Sequence, residues 1–198
     1  MADNNGRGCK AGRMAPDQGL LLQALQRPSP NQDARPDPDD ISLLVLHGIS
    51  LPPGEFGGDA IEDLFCNRLD PTAHPFFAEI HQLRVSAHLL VRRDGRLLQF
   101  VPFHRRAWHA GLSCWQGRDR CNDFAIGIEL EGTDEVPYTE QQYAALDTVL
   151  PALMADYPGI TRQRIVGHSD IAPGRKTDPG PAFDWHRLWR GLELNAWT

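Results

Sequence analysis

Runs of apolar residues and runs of alternating character predict the strands of this chain. The continuous apolar run ISLLVLH predicts a buried, central strand over Ser42–His47. Phe124–Glu131 alternates instead, so that one face carries Phe124, Ile126, Ile128 and Leu130, and the other carries Ala125, Gly127, Glu129 and Glu131. On the second face two small residues precede two carboxylates. Small residues let another group approach the sheet closely, so this pattern indicates that one carboxylate is functional.

Turn and cap residues predict the remaining elements. Val85–Val91 and Arg96–Val101 flank an Asp-Gly pair and predict a hairpin, and Arg164–His168 predicts a short last strand. The apolar spacing and the caps predict four helices: a short docking helix over Leu20–Gln26, one from Asp59 to about Leu69, one from Thr139 to about Tyr157, and a closing helix over 183–194. Pro151 predicts a bend near Asp147 or a division of the third helix into two.

These elements mix strands and helices without strict alternation, and no internal repeat is present. We therefore expect an α/β fold, with one domain built on a central mixed β-sheet flanked by helices. The length of 198 residues allows one domain and a tail. Residues 1–28 are polar and rich in proline towards their end, which predicts a poorly ordered extension, and residues 29–198 form the domain. We assign no function to the extension.

Composition excludes several classes of partner. The net charge of −6 without clustered Lys and Arg argues against nucleic acid and against an anionic membrane. No apolar run approaches the ~20 residues of a membrane helix, and the N-terminus lacks the order of a signal peptide. The four cysteines show no C-x-x-C spacing, which is typical of reduced thiols in a cytoplasmic protein, although a Cys114–Cys121 bridge stays open.

The segment Val166–Gly180 carries the strongest candidate chemistry. Its prolines and glycines predict a loop that holds His168, Lys176 and Asp178 close together. His and Asp suit zinc, and a catalytic zinc takes three protein ligands and leaves one position for water. His47, at the end of the first confident strand, is the best third ligand. His88 is its rival, but its apolar neighbours favour a hydrogen-bonded core histidine.

A zinc ion on His47, His168 and Asp178 predicts a metal hydrolase. Zinc lowers the pKa of bound water to about 7, and Glu129 on its small-residue face is placed to act as general base. Lys176 can stabilise the oxyanion or help to protonate the leaving amine.

Several long strings resemble one known family: LLVLHGISLPPGEFGG, HPFF, LRVSAHLLVRRDG, QFVPFHRRAWHAG, GRDRCNDFAIGIELEGTD and GHSDIAPGRKTDPGPAFDW. From about Ser29 to Trp185 the chain is similar to the cytosolic anhydro-muramoyl-L-alanine amidases of the zinc N-acetylmuramoyl-L-alanine amidase family. The resemblance implies the peptidoglycan-amidase fold, related to the peptidoglycan recognition proteins, with the zinc ligands and catalytic roles given above. It selects Glu129 as the base, with Glu131 as the fallback.

The implied reaction cleaves the amide between the lactyl group of anhydro-N-acetylmuramic acid and L-Ala in recycled muropeptides, in the bacterial cytoplasm. The implied partner is a small muropeptide, and we expect a monomer that binds neither nucleic acid nor membrane. The stem peptide carries carboxylates, for which the resemblance implies Arg84 and Arg120. Trp108, His109 and Trp115 are candidates for the sugar wall. Each of these five residues can also be an ordinary surface or packing residue.

One residue departs from the family pattern, and one alternative function shares the fold. Gly48 stands where the family usually has an Asn that helps to bind the peptide, which leaves the metal site intact but affects peptide preference. The alternative is a non-catalytic muropeptide-binding sensor, which the presence of Asp178, Lys176 and Glu129 disfavours. A periplasmic amidase acting on polymeric wall is disfavoured by the N-terminal sequence and the cysteine usage.

Overall fold

The computed structural model of the protein describes residues 14–15 and 18–195. In chain order its strands are β1 (Met14–Ala15), β2 (Leu20–Leu21), β3 (Leu25–Gln26), β4 (Gln32–Ala34), β5 (Leu43–Ile49), β6 (Leu89–Val91), β7 (Leu97–Gln99), β8 (Arg105–Ala107), β9 (Cys114–Trp115), β10 (Arg118–Asp119), β11 (Ala125–Glu131) and β12 (Ile165–Gly167). Its α-helices are α1 (Ala60–Phe65), α2 (Pro75–Ile80), α3 (Glu140–Asp156), α4 (His168–Ile171) and α5 (Trp185–Asn195).

A mixed sheet of six strands forms the centre of the fold, in the order β12-β5-β11-β6-β7-β3. The β6–β7 pair is antiparallel, and the other four pairs are parallel. One face of β5 and β11 carries Leu44, Leu46, Ile126 and Ile128, which pack in one core cluster with buried residues of α3 and α5. The opposite face carries Leu43, Val45 and Ala125 in a second cluster. This arrangement confirms the predicted single domain with a mixed sheet and flanking helices.

Local sequence signals predicted several elements correctly. The runs that end at His47 and Glu131 form β5 and β11, and the Asp-Gly pair turns the hairpin with Gly95 at φ +83°, a conformation that favours glycine. The capping box of α3 is formed, because the Thr139 hydroxyl accepts from the Gln142 amide at 3.2 Å while Gln142 Oε1 accepts from the Thr139 amide at 3.0 Å.

Two predictions about helices are wrong, and one of the two alternatives for α3 is excluded. Helix α3 runs without interruption through Pro151, so the division into two helices does not occur, whereas the bend near Asp147 stays a prediction. Its buried side chains Leu146, Val149, Leu150 and Leu153 pack in the main core cluster, and this packing outweighs the loss of one helical hydrogen bond. Helix α1 ends at Phe65 rather than near Leu69, because Asn67 has a left-handed φ of 58°.

The segment Leu20–Gln26 forms short strands and not the expected helix. Strand β3 pairs in parallel with β7 at the sheet edge, and the Leu21 amide donates to Gln99 Oε1 at 2.8 Å. Leu21 is fully buried, so residues 18–28 of the expected extension contact the domain. Poor order was also expected of residues 1–13 and 16–17, and these lie outside the described residues.

Cys66, Cys114 and Cys121 are free thiols, whereas Cys9 lies outside the described residues. The Cys114–Cys121 bridge that the sequence left open is therefore not formed. Within residues 14–15 and 18–195, no helix has both the length and the apolar character needed to cross a membrane.

Candidate active site

Three neighbouring parallel strands bring candidate residues to one edge of the sheet. His47 of β5 is the register partner of Glu129 of β11, so both side chains lie on the same face. On the other side of β5, Gly167 of β12 pairs with Leu46, and His168 follows it directly. The carboxyl ends of these strands therefore place His168, His47 and Glu129 in a row.

The loop after α4 returns Asp178 to this row. The Ser169 amide donates to the Asp178 carbonyl at 3.0 Å, and the Tyr138 hydroxyl donates to the Pro179 carbonyl at 3.0 Å. Gly180 has φ +78°, and a Cβ there would overlap Asp134, so the turn needs glycine. These contacts hold Asp178 between the two histidines, as the sequence predicted.

Three donor atoms converge on one point. His47 Nδ1 lies 2.9 Å from His168 Nδ1, and Asp178 Oδ2 lies 3.2 Å and 3.1 Å from these two nitrogens. His168 Nε2 faces the Ala110 carbonyl at 3.1 Å, and because a carbonyl only accepts, the neutral ring carries its proton on Nε2 and directs the Nδ1 lone pair inward. Converging lone pairs of two imidazoles and a carboxylate fit a cation, and this set of ligand types suits zinc.

His88 does not belong to this cluster. Its Nδ1 accepts from the Gly127 amide at 3.0 Å, and its Nε2 lies 3.0 Å from the Arg105 carbonyl, so both ring nitrogens have partners in the core. His88 is fully buried. It is a hydrogen-bonded core histidine, the interpretation that its apolar neighbours favoured.

Burial dominates the electrostatics of the site. Burial lowers the pKa of His47 to about 4, against the opposing effect of its hydrogen bond with Asp178, so the imidazole is neutral and able to bind a cation near neutral pH. Burial by itself raises the pKa of Asp178, but His168 and His47, which donate to its carboxylate when their Nδ1 atoms are protonated, outweigh burial and hold that pKa well below its ordinary value.

The two carboxylates of β11 have different environments. Glu129 is 9% exposed, and its Oε2 has no hydrogen-bond partner among the described residues. Burial, followed by the charge of Asp178, raises its pKa well above the ordinary value, while Lys176 acts in the opposite direction. Glu131 accepts from the amides of Gly57 at 2.6 Å and Arg93 at 3.1 Å, and it pairs with Arg92 at 3.3 Å. Of these two carboxylates, Glu129 is the one left with an unused acceptor, beside the three converging atoms.

A cavity of about 230 Å³ opens beside the three donor atoms. Its described lining includes the predicted His47, Glu129, His168, Lys176, Asp178, Trp108 and His109. The sequence did not predict the apolar and polar walls formed by Ile49, Leu64, Phe65, Leu83, Val85 and Ser86. Gly48 also lines the cavity, and a Cβ at this position would overlap the Tyr138 hydroxyl.

A larger cavity of about 800 Å³ lies elsewhere, around Arg92–Arg96 and the Gly57–Gly58 turn. Its buried charges are paired, since Glu62 bonds Arg27 at 2.6 Å and Glu131 bonds Arg92. The smaller cavity therefore holds the candidate chemistry.

Three predicted substrate residues lie outside the described lining of the smaller cavity. Arg84 is exposed, and its Nη1 donates to the carbonyls of Gln82 at 3.1 Å and Leu83 at 3.3 Å. The Arg120 side chain is 72% exposed and lies 3.3 Å from Asp123. Trp115 packs against the core cluster that contains Phe124 and Val166.

Comparison with known proteins relates this chain to one family. The family model described as N-acetylmuramoyl-L-alanine amidase matches residues 37–181. The 1,6-anhydro-N-acetylmuramyl-L-alanine amidase AmpD of Salmonella typhimurium is 62% identical over 183 residues, which cover 92% of this chain and 97% of that protein.

Solved structures agree with the sequence comparison. A crystal structure of a selenomethionine derivative of AmpD superposes with a TM-score of 0.87 at 58% identity, and the match covers 90% of this chain and 99% of that one. The Escherichia coli amidase AmiD, in complex with the substrate anhydro-N-acetylmuramic acid-L-Ala-D-gamma-Glu-L-Lys, gives 0.56 at 33% identity over 77% of this chain and 57% of that one.

Proposed function

Because the chain belongs to the N-acetylmuramoyl-L-alanine amidase family, we propose that it works as a zinc enzyme whose metal is held by His47, His168 and Asp178. The protein is an anhydro-N-acetylmuramyl-L-alanine amidase of the AmpD type, which hydrolyses the amide bond between the lactyl group of the sugar and L-alanine in wall recycling. One observation carries the zinc proposal: the Nδ1 atoms of two imidazoles and one carboxylate oxygen lie within 2.9–3.2 Å of one another.

The cavity residues supply the remaining parts of an amide hydrolysis. Zinc, when bound, acts as a Lewis acid that lowers the pKa of water and polarises the substrate carbonyl. Glu129 Oε2 takes the proton of the attacking water and returns it to the leaving amine of L-alanine. Lys176 places a positive charge on the cavity wall, where it stabilises the oxyanion of the tetrahedral intermediate.

The walls of the cavity bind the muropeptide in this proposal. Trp108 and His109 line the cavity and offer flat surfaces to the sugar. Arg84 is the residue between Leu83 and Val85, which both line the cavity, so its guanidinium can reach a stem-peptide carboxylate from the rim. Arg120 serves a more distant carboxylate from its exposed position. The packing of Trp115 supports the packing alternative for that residue.

The substrate is a small muropeptide, in keeping with the substrate bound to the related AmiD. We expect the enzyme to be monomeric and cytoplasmic. Sedimentation of the purified protein and fractionation of cells that express it would check these two points.

Mass spectrometry of anhydro-muramoyl-tripeptide incubated with the protein tests the proposal directly. Parallel samples contain zinc or a chelator, with the zinc content of each measured. Release of free tripeptide and anhydro-sugar only with zinc is the expected result. Turnover in a verified zinc-free sample would overturn the metal mechanism, and intact substrate with zinc bound would favour the sensor alternative.

A further inference from the structure

A segment of two residues, His109–Ala110, contacts both imidazoles of the proposed metal site. We propose that this segment, clamped by the Asn122 side chain, fixes the orientation and tautomer of His47 and His168. Asn122 and His109 are thus positioning residues for the metal ligands. This inference rests on the proposed zinc site.

The first contact joins His109 to His47. His47 Nε2 lies 2.9 Å from His109 Nδ1, while His47 Nδ1 points at the other metal ligands. When His47 binds a cation through Nδ1, its proton must reside on Nε2, and His109 Nδ1 is the acceptor placed to receive it. His109 Nδ1 is therefore the acceptor that the metal-binding tautomer of His47 requires.

Gly127 makes this contact possible. A Cβ at position 127 would lie 2.5 Å from His109 Nδ1 and 2.6 Å from its Cδ2, well inside van der Waals contact. The small residue that the sequence marked on β11 thus admits the His109 ring against the sheet. What approaches the sheet at this point is a side chain of the protein itself.

The second contact joins Ala110 to His168. The Ala110 carbonyl lies 3.1 Å from His168 Nε2, and it also accepts from Arg175 Nη2 at 2.7 Å. Since the carbonyl cannot donate, it holds the proton of His168 on Nε2. The Ala110 carbonyl is therefore the acceptor for the Nε2 proton of His168, and the His109 side chain is the acceptor for the Nε2 proton of His47.

Asn122 holds the segment in place. Its Oδ1 accepts from the backbone amides of both His109, at 3.1 Å, and Ala110, at 2.8 Å. The Asn122 carbonyl in turn accepts from Arg35 Nη1 at 3.2 Å, and Arg35 is 5% exposed. The buried Arg35 thus holds Asn122, and Asn122 holds the segment that contacts both histidines.

Breaking this series of contacts should weaken metal binding. A neutral imidazole exchanges between two tautomers, and only one of them presents a lone pair at Nδ1. Loss of an outer hydrogen-bond partner of a metal-binding histidine typically lowers metal affinity about 10- to 100-fold. Because Asn122 acts on the partners of both histidines, its loss affects both ligands together.

Four variants test the assignment. Asn122→Ala removes the acceptor for both amides, whereas Asn122→Asp keeps a carboxylate oxygen in its place. His109→Phe removes the acceptor for His47, whereas His109→Asn offers an amide oxygen at a similar position. Gln99→Ala is the control, since it removes buried side-chain bonds to the Leu21 amide and to the carbonyls of Gly19 and Val101, on the far part of the sheet.

Two readouts other than activity are measured on each folded variant. Zinc affinity is obtained by competition with a chromophoric chelator, and thermal unfolding gives Tm. The tautomers of His47 and His168 in zinc-free protein are assigned from ¹⁵N chemical shifts, at a pH at which imidazole is neutral.

The expected result is a zinc affinity about 10- to 100-fold weaker in Asn122→Ala and His109→Phe, with near-normal affinity in Asn122→Asp and a smaller loss in His109→Asn. Gln99→Ala lowers Tm but leaves zinc affinity unchanged. Wild-type affinity in both Asn122→Ala and His109→Phe, with unaltered tautomers, would overturn this inference and leave the zinc site standing. Failure of the wild-type protein itself to bind zinc would instead overturn the proposed function.

Discussion

Glu129 and Glu131 stand two residues apart on one face of β11, yet their surroundings give them opposite properties. Glu131 is 2% exposed, and its hydrogen bonds hold the Gly57 turn and the hairpin at Arg93. Glu129 has a raised pKa and an Oε2 without a partner among the described residues. Burial of an unused acceptor costs stability, so its retention marks a functional group.

Replacement of Glu129 by Gln should lower turnover by about 10²- to 10⁴-fold, because the amide cannot accept the proton of water. Zinc content should stay at the wild-type level, since Glu129 is not among the three converging ligands. Steady-state kinetics together with metal analysis checks both parts.

Glu131→Gln is the matched control for Glu129→Gln. It should lower Tm, because the buried Arg92 loses an ionic partner, while turnover of the folded protein is retained. If Glu129→Gln keeps full turnover and Glu131→Gln loses it, the role of base moves to Glu131.

Gly48 follows the proposed ligand His47 directly, and the structure gives a physical reason for glycine here. A Cβ at position 48 would overlap the Tyr138 hydroxyl, which donates to the Pro179 carbonyl next to Asp178. We expect Gly48→Ala to lower both Tm and zinc affinity, since Tyr138 must move and release this bond. The loss should be smaller in a Tyr138→Phe background, which lacks the overlapping oxygen. Equal losses of Tm and zinc affinity in the two backgrounds would contradict this account.

At the scale of elements, the β4–β8 ribbon fixes the start of the loop that carries Trp108 and His109. Arg106 of β8 forms a bidentate ion pair with Asp33 of β4, in which Nε and Nη2 each lie 2.6 Å from a carboxylate oxygen. Its Nη1 also donates to Asp123 Oδ1 at 2.5 Å. The hydrogen bond from Arg106 lowers the pKa of Asp33 below its ordinary value.

A depressed folded-state pKa gives this pair a defined pH dependence. Its stabilisation is fully present above the unfolded pKa of Asp, about 3.9, and is lost as the pH falls through the lower folded pKa. Arg106→Met should therefore lower Tm at neutral pH and flatten the fall of Tm in acid. Thermal scans against pH measure the effect, which is small because the Asp33 side chain is 41% exposed and solvent screens the pair. A parallel shift of the two curves over the whole pH range would contradict the assignment.

Elements with local signals were predictable from the sequence, and elements without such signals were not. The alternation of β11, the Asp-Gly turn and the Thr139–Gln142 capping box each specify their structure within a few residues. Strand β3 has two residues and exists because β7 offers it an edge, so only the assembled sheet defines it. The continuity of α3 through Pro151 has a similar cause, since packing on the core holds the helix together.

At the scale of the whole molecule, zinc should stabilise the fold, because the three ligands meet only in the folded chain. Binding to the native state alone adds about 2.7 kcal/mol when free zinc is 100 times its Kd. We expect a rise in Tm with zinc in the wild-type protein and none in Asp178→Ala. Differential scanning calorimetry with and without zinc measures this, and a wild-type response in Asp178→Ala would remove Asp178 from the ligands.

The sequence revealed the three residues that converge at the site but not what holds them. His47, His168 and Asp178 were found because their residue types and loop context indicate metal binding. The Ala110 carbonyl and the double acceptor role of Asn122 involve backbone groups, and a backbone group leaves no mark in a sequence. Arg84 and Arg120 came from resemblance alone and Trp115 from its aromatic type, and the geometry does not bring them into the described lining of the cavity.

His47 pairs with Glu129 across β5 and β11, so these two strands must keep their register. Loops that only line the cavity are free to vary. The separation of His47 and Glu129 follows from the spacing of two hydrogen-bonded strands, about 4.8 Å, and no loop sets it. Cavity loops other than those that carry the His109–Ala110 segment, Lys176 and Asp178 can therefore be exchanged to change which muropeptide binds, without altering the spacing of His47 and Glu129. A one-residue insertion has the opposite effect, since in β11 it turns the Glu129 carboxylate, and in β5 the His47 imidazole, to the helix-covered face of the sheet and ends hydrolysis.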